Sequence, residues 1–200
     1  MYSFDAYSPK EIAEKVETVG VAKAHLPVLQ TVMLGILAGA REPQSADTVS
    51  DILSAPDRRD LSDWLRERPL AHYGHGHLLV HAGVLPQWSV DQTLSLAAEI
   101  ETRLRARTWK QFLRDLYGGK SPTRWNDHLE GIERARVIVN ALTRLRLCDR
   151  HGDMALKNTS APTQAPPGLM PWFEVPNRRT AGVPIVFGHW STLGLKLSAD

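Results

Sequence analysis

Two apolar segments that each end in a histidine beside a glycine constrain the fold of this chain more than any other feature. They are Leu79-Val80-His81-Ala82-Gly83 and Val186-Phe187-Gly188-His189-Trp190. Short apolar runs of this kind are typical of buried strands. A histidine at the carboxyl edge of a strand lies where α/β folds bind ligands and metals, and glycine allows a close approach. An ordinary hydrogen-bonded histidine is the other interpretation, and the two motifs alone leave both open.

The rest of the chain predicts helices that alternate with short strands, which indicates an α/β fold. Gly74-His75-Gly76 suits a tight turn between strands at residues 70–73 and 77–81. The segment from Leu26 to Ala40 predicts an almost wholly apolar helix, shorter than the about 20 residues that a membrane span needs. Apolar residues also recur at the helical period in four later segments, at residues 57–68, 89–104, 108–117 and 134–147.

Composition excludes several classes of protein. A net charge of +2, with basic residues spread along the chain, is too small to argue for a nucleic-acid partner. Cys148 is the only cysteine, which excludes an internal disulfide and a cysteine-based zinc cluster. The sequence shows no secretory signal. We therefore expect a cytoplasmic protein without a nucleic-acid partner, and the short apolar segment disfavours a membrane partner.

Several short motifs occur in an order that resembles one enzyme family. The motifs at His81-Ala82-Gly83 and Phe187-Gly188-His189-Trp190 enclose the others, and the similarity as a whole extends from about residue 38 to residue 195. In this order they resemble the symmetrical diadenosine tetraphosphatases, which are calcineurin-like, two-metal phosphoesterases. The motifs between the two ends are Pro86-Gln87-Trp88, Tyr117-Gly118, Asn140-Ala141-Leu142-Thr143-Arg144-Leu145-Arg146 and Pro171-Trp172-Phe173.

This resemblance implies a hydrolase that cleaves diadenosine tetraphosphate symmetrically to two ADP. It implies a pair of divalent ions, cobalt or manganese, which activate a water molecule. His81 and His189 correspond to metal ligands of the family. Arg144 and Arg146 fall in a segment similar to the family's Thr-Arg-x-Arg run, where a guanidinium can hold a bridging phosphate. A solvated helix end is the other interpretation of these arginines, and no catalytic residue is assigned.

The same resemblance implies an incomplete calcineurin-like metallophosphoesterase fold, with sheet layers flanked by helices, that lacks its front third and its last strands. The family's front third carries Gly-Asp-x-His-Gly, Gly-Asp-x-Val-x-Arg-Gly and Gly-Asn-His-Asp, which supply most metal ligands and the acid for the leaving group. Asp5 is the only aspartate among the first forty residues, and Asn126 is the first asparagine. Because two imidazoles alone cannot form a bridged two-metal site, we expect no ADP release above a His81→Ala control.

Residues 1–39 are predicted to be a separate helical segment, and residues 40–200 the C-terminal part of the hydrolase domain. The first segment weakly resembles the start of a formate/nitrite channel, which would make the chain a fusion. Alternatively, it is a pair of helices that caps the sheet. Three functions therefore remain open: the hydrolase, an inactive truncated or fused remnant, and a module that docks on a partner or a membrane through residues 26–40.

Overall fold

A computed structural model describes residues 56–190 and Leu193. The segment 1–39, with its predicted apolar helix and its resemblance to a channel, lies outside the described residues. In the part of the chain that is described, no helix is both long enough and apolar enough to cross a bilayer.

Helices and short strands alternate along the described chain, which confirms the mixed α/β class. The incompleteness of the fold stays a prediction. The helices are α1 (Arg58–Arg66), α2 (Val90–Arg105), α3 (Trp109–Tyr117) and α4 (Gly131–Arg144). The strands are β1 (Ala71–Gly74), β2 (His77–Val80), β3 (Leu147–Cys148), β4 (Met170–Pro171) and β5 (Ile185–Val186). Short 3-10 turns lie at Pro162–Gln164 and Trp172–Glu174.

The main sheet has the strand order β1-β2-β5. β1 and β2 form the predicted hairpin, and its turn residues His75 and Gly76 both have positive φ, 52° and 76°. Two positive φ values define the turn whose twist matches paired strands. β2 and β5 run parallel, with Leu79 opposite Val186. The carboxyl ends of β2 and β5 therefore meet at one edge of the sheet.

Helix α2 connects this sheet to the other helices. It begins at Ser89, whose hydroxyl oxygen accepts a hydrogen bond from the Gln92 amide at 3.2 Å, a normal helix cap. α2 packs on β1, and α3 and α4 pack on α2 and on each other. The core between them contains fully buried side chains from each of these elements, among them Leu78, Leu96, Ile100, Leu113, Ile138 and Leu142.

Two predicted elements differ from the structure. The helix expected at residues 134–147 ends at Arg144, because Leu145 takes an extended backbone conformation (φ −62°, ψ 127°). Residues 147–148 instead pair with β4 in a second, two-stranded sheet. The second apolar run, which predicted a buried strand ending at His189, forms a strand only at β5, and Val186 is 52% exposed because it lies on the outer face of the sheet. The expectation of burial was therefore wrong at Val186.

Candidate functional site

The carboxyl edge of the parallel pair β2 and β5 carries the two histidines expected to bind a metal. His81 follows β2 directly, and His189 follows β5 after two residues. The strand pairing continues to this edge, because the Gly188 amide donates to the His81 carbonyl at 3.0 Å. His189 then adopts a φ of 68°. This left-handed conformation is uncommon for a residue other than glycine, and it turns the chain away from the direction of β5.

The two imidazoles lie side by side. Nε2 of His81 is 3.2 Å from Nδ1 of His189, and the ring centroids are 5.0 Å apart. Facing ring nitrogens at this distance form a hydrogen bond when one of them carries the proton. The separation is also compatible with two nitrogen–metal bonds of about 2 Å that meet at one ion. His81 and His189 thus converge at one edge of the sheet, while their role as ligands stays a prediction.

Burial favours the neutral form of both rings. It lowers the pKa of His81 below its ordinary value. The pKa of His189 is lowered to about 4, mainly by burial and in addition by the neighbouring charges of Arg146, His81 and Arg144. A neutral imidazole is the form that binds a metal ion, so burial prepares both rings for that role at neutral pH.

The arginines predicted to bind phosphate lie next to His189. Nη2 of Arg146 donates to the His189 carbonyl at 3.2 Å, and Nε of Arg146 is buried without a hydrogen-bond partner among the described residues. Arg144 is exposed, and its Nη1 donates to Oδ1 of Asn140 at 3.0 Å. Within residues 56–190 neither arginine forms an ion pair with a carboxylate. Two such guanidinium groups favour an anionic ligand.

An aromatic cluster whose contacts the sequence did not predict supports this edge. Phe187, just before His189, lies 5.1 Å from Trp172 and 5.5 Å from Phe173 between ring centroids. The indole of Trp190 donates to the Ser160 carbonyl at 3.2 Å, which fixes the other side of His189. The signal in the sequence was the pair of aromatic motifs at residues 171–173 and 187–190, but their contact required the tertiary structure.

The side chains at this edge can be compared with the ligands that a divalent metal ion requires. Neutral imidazole nitrogens suit manganese, cobalt, iron or zinc. Among the residues that the structure describes, however, no group of three or more histidine, cysteine, aspartate or glutamate side chains lies together. The described part of the chain therefore supplies two suitable ligands, whereas catalytic zinc sites, for example, use three protein ligands.

Comparison with known proteins finds relatives that are named for the activity of the same family. The chain is 53% identical over 168 residues to a protein of Bordetella pertussis named symmetrical bis(5'-nucleosyl)-tetraphosphatase. Proteins with this name from Paraburkholderia phymatum and Ralstonia nicotianae are 51% and 49% identical over 163 and 181 residues. Most of this chain is therefore homologous to symmetrical bis(5'-nucleosyl)-tetraphosphatases. No family model matches it.

The alignments cover most of this chain but a smaller share of each homologue. The three alignments cover 84%, 82% and 90% of this chain but 60%, 57% and 63% of the relatives. The chain thus spans less than two thirds of the length of these homologues. The Ralstonia alignment covers a larger share of the chain than residues 40–200 make up, so it includes part of residues 1–39. These relatives do not bear out the resemblance of residues 1–39 to a formate/nitrite channel.

Proposed function

We propose that this chain is a metal-dependent hydrolase that cleaves dinucleoside tetraphosphates symmetrically, with a calcineurin-like metallophosphoesterase fold. The observation that carries the proposal is the pair of neutral imidazoles, His81 and His189, beside two arginines that lack carboxylate partners in the described chain. The homologues support the substrate class, because their name specifies a nucleoside tetraphosphate and symmetrical cleavage. Diadenosine tetraphosphate is the substrate to test first.

In this proposal His81 and His189 hold a divalent ion, manganese or cobalt. Such an ion, when bound, supplies an activated water and polarises the phosphoryl group. Arg146 is fixed beside His189 and orients the phosphate chain with its unused N–H groups, while Arg144 contacts a more exposed phosphate. Water breaks the bond between the bridging oxygen and one of the two central phosphorus atoms. One ADP receives the oxygen of water and the other receives the proton.

A second candidate, an inactive remnant that binds nucleotide without hydrolysing it, is favoured by one observation. The described residues bring no third metal ligand to His81 and His189. Asp5, Asp47 and Asp51 lie outside these residues. Hydrolysis by this chain therefore requires that such a residue completes the site, and the two candidates predict opposite results for product release.

Product analysis with diadenosine tetraphosphate separates the two candidates. The hydrolase proposal predicts that the full chain, freed of metal with EDTA and then given manganese or cobalt, releases ADP as its sole nucleotide product. The expectation from the sequence, no ADP release above the His81→Ala variant, is the prediction of the inactive remnant. His81→Ala and His189→Ala should each lower the rate at least about 100-fold, because even groups that only orient a metal ligand contribute 10- to 100-fold. His72→Ala is the matched control, since His72 is exposed on the hairpin.

Two outcomes would contradict the hydrolase proposal. AMP and ATP in equal amounts would mean asymmetric cleavage. ADP release that is no higher than in the His81→Ala variant would overturn hydrolysis by this chain and support the inactive remnant.

A further inference from the structure

Tyr117 is an exposed aromatic residue that the proposed mechanism does not use. It is the last residue of α3, and its side chain is 42% exposed, whereas Leu113 and Leu116 of the same helix are buried. A ring exposed to this extent leaves part of its apolar surface in solvent. In a protein that binds a nucleotide, a flat apolar surface of this kind can contact the base.

Helix α4 fixes the position of Tyr117. The carbonyl oxygens on either side of it, at Leu116 and Gly118, both accept hydrogen bonds from the Arg136 guanidinium of α4. The Gly118 amide also donates to the Arg114 carbonyl at 2.9 Å, which closes the last turn of α3. The backbone at Tyr117 is therefore ordered before a ligand arrives, so less conformational entropy is lost when the ring contacts one.

Arg144 connects the surroundings of Tyr117 with those of His189. Arg136, Asn140 and Arg144 are spaced four residues apart on α4, so they lie along one face of the helix. Nη1 of Arg144 donates to Oδ1 of Asn140 at 3.0 Å, which orients the guanidinium along this face. Burial raises the pKa of Tyr117 against the effect of the Arg144 charge, and burial, with the same charge among others, lowers the pKa of His189. Arg144 therefore lies within electrostatic reach of both side chains.

We infer that the ring of Tyr117 stacks on a base of the bound dinucleotide, while Arg144 holds the phosphate group next to that nucleoside. The inference rests on the proposed function, which places the phosphate chain at the two histidines and the two arginines. Each base is joined to an end of that chain through its ribose, so it lies beyond the more exposed arginine. The raised pKa keeps the phenol of Tyr117 uncharged at neutral pH, so it does not repel the phosphates.

Binding of ADP and of pyrophosphate to the full chain, measured by isothermal titration calorimetry with manganese present, tests this contact. Tyr117→Ala should raise the dissociation constant for ADP at least about fivefold, the lower end of what one base–aromatic stack contributes. Tyr117→Phe should bind ADP as the unmodified chain does, since it keeps the ring. Pyrophosphate has no base, so its dissociation constant should be the same in all three proteins.

Tyr73→Ala is the matched control. Tyr73 is 45% exposed, close to the value for Tyr117, but it lies on strand β1 of the hairpin. Its loss should leave the dissociation constant for ADP unchanged, and a loss of affinity comparable to that of Tyr117→Ala would contradict a specific role for Tyr117. Tyr117→Leu keeps an apolar side chain at the end of α3 without the flat ring and should show the same loss as Tyr117→Ala.

The binding measurement does not depend on whether the chain hydrolyses its substrate. An inactive remnant that binds nucleotide would release no ADP from diadenosine tetraphosphate, yet its affinity for ADP would still depend on Tyr117. Equal ADP affinity in the unmodified chain and in Tyr117→Ala would overturn the inference. A loss of pyrophosphate affinity as large as the loss of ADP affinity would also overturn it, as would the absence of ADP binding by the unmodified chain.

Discussion

His189 occupies a backbone conformation that most side chains avoid. A φ of 68° costs a residue with a Cβ atom about 1–2 kcal/mol. Hydrogen bonds on both sides maintain it, from Gly188 to the His81 carbonyl and from Arg146 to the His189 carbonyl. The result is that the His189 ring faces His81 at 3.2 Å. Strained residues held in this way are concentrated at functional sites, which agrees with the proposed role of His189.

The lowered pKa of His189 predicts a dependence of stability on pH in the metal-free chain. The unfolded chain binds a proton near pH 6.5, whereas folded His189 binds it only near pH 4. The neutral His189 ring therefore makes its full contribution to the stability of the folded chain above pH 6.5. This contribution is lost as the pH falls toward 4. Because the ring is partly exposed, solvent reduces the effect of the pKa shift. Between pH 7 and pH 4 we expect the free energy of unfolding of the unmodified chain to fall by about 1–2 kcal/mol more than that of the His189→Asn variant.

Urea unfolding in EDTA at several pH values between 7 and 4 measures this difference. Asparagine is the suitable replacement because it tolerates a positive φ better than most residues and does not titrate. Parallel pH profiles of the two proteins would mean that folding does not shift the pKa of His189.

At the scale of single elements, the end of α3 depends on one buried arginine from α4. The Arg136 guanidinium is 8% exposed and donates to the backbone carbonyls that end α3 and begin the next loop. The last carbonyls of a helix have no partner within it, and a cation there also complements the helix dipole. Arg136 therefore fixes α3 to α4. The four accepting carbonyls belong to Asp115, Leu116, Gly118 and Lys120.

Replacement of Arg136 should lower stability more than replacement of an exposed arginine. We expect Arg136→Met to reduce the free energy of unfolding by about 2–4 kcal/mol, because several buried carbonyls lose their donor. Arg136→Lys should restore only part of this, since an ammonium lacks the planar fork. Arg68→Met is the control and should cost less than about 1 kcal/mol, because its pair with Glu67 is exposed. Denaturant unfolding measures all three, and equal losses for Arg136→Met and Arg68→Met would refute the role of Arg136.

At the scale of the whole molecule, the candidate site draws on parts of the chain that are far apart in sequence. His81 follows β2, the arginines end α4 or follow it, and His189 follows β5. The end of β2 is tied to α4 because the Ala82 amide donates to the Leu142 carbonyl at 2.8 Å. A ligand that bridges these parts binds the folded chain alone and therefore stabilises it as a whole.

Thermal unfolding with manganese and ADP should reveal this stabilisation. At ligand concentrations about 100 times the dissociation constant, stability rises by about 2.7 kcal/mol, or roughly 5–10 °C in Tm for a chain of this length. The double variant with His81→Ala and His189→Ala should show no such rise, and EDTA should reverse it in the unmodified chain. His72→Ala should keep the rise. The same increase in the double variant would place the ligand elsewhere.

The sequence by itself determined the local elements, because their signals lie within a few neighbouring residues. Gly74-His75-Gly76 set the hairpin, and Ser89 with the apolar period after it set α2. The two strand–histidine motifs, together with the order of the motifs between them, also indicated the enzyme family after which the homologues are named. Local patterns of this kind depend on backbone conformation and on the alternation of apolar residues, which short segments already encode.

Only the tertiary structure decided which distant segments meet and which faces remain open. The parallel pairing of β2 with β5 placed His81 against His189, and the extended conformation of Leu145 turned Arg146 toward the same edge. It also left Val186 exposed, against the expectation from its apolar run. The sequence shows which side chains are apolar and are therefore stabilised by burial. Packing partners from elsewhere in the chain decide whether such a side chain is buried.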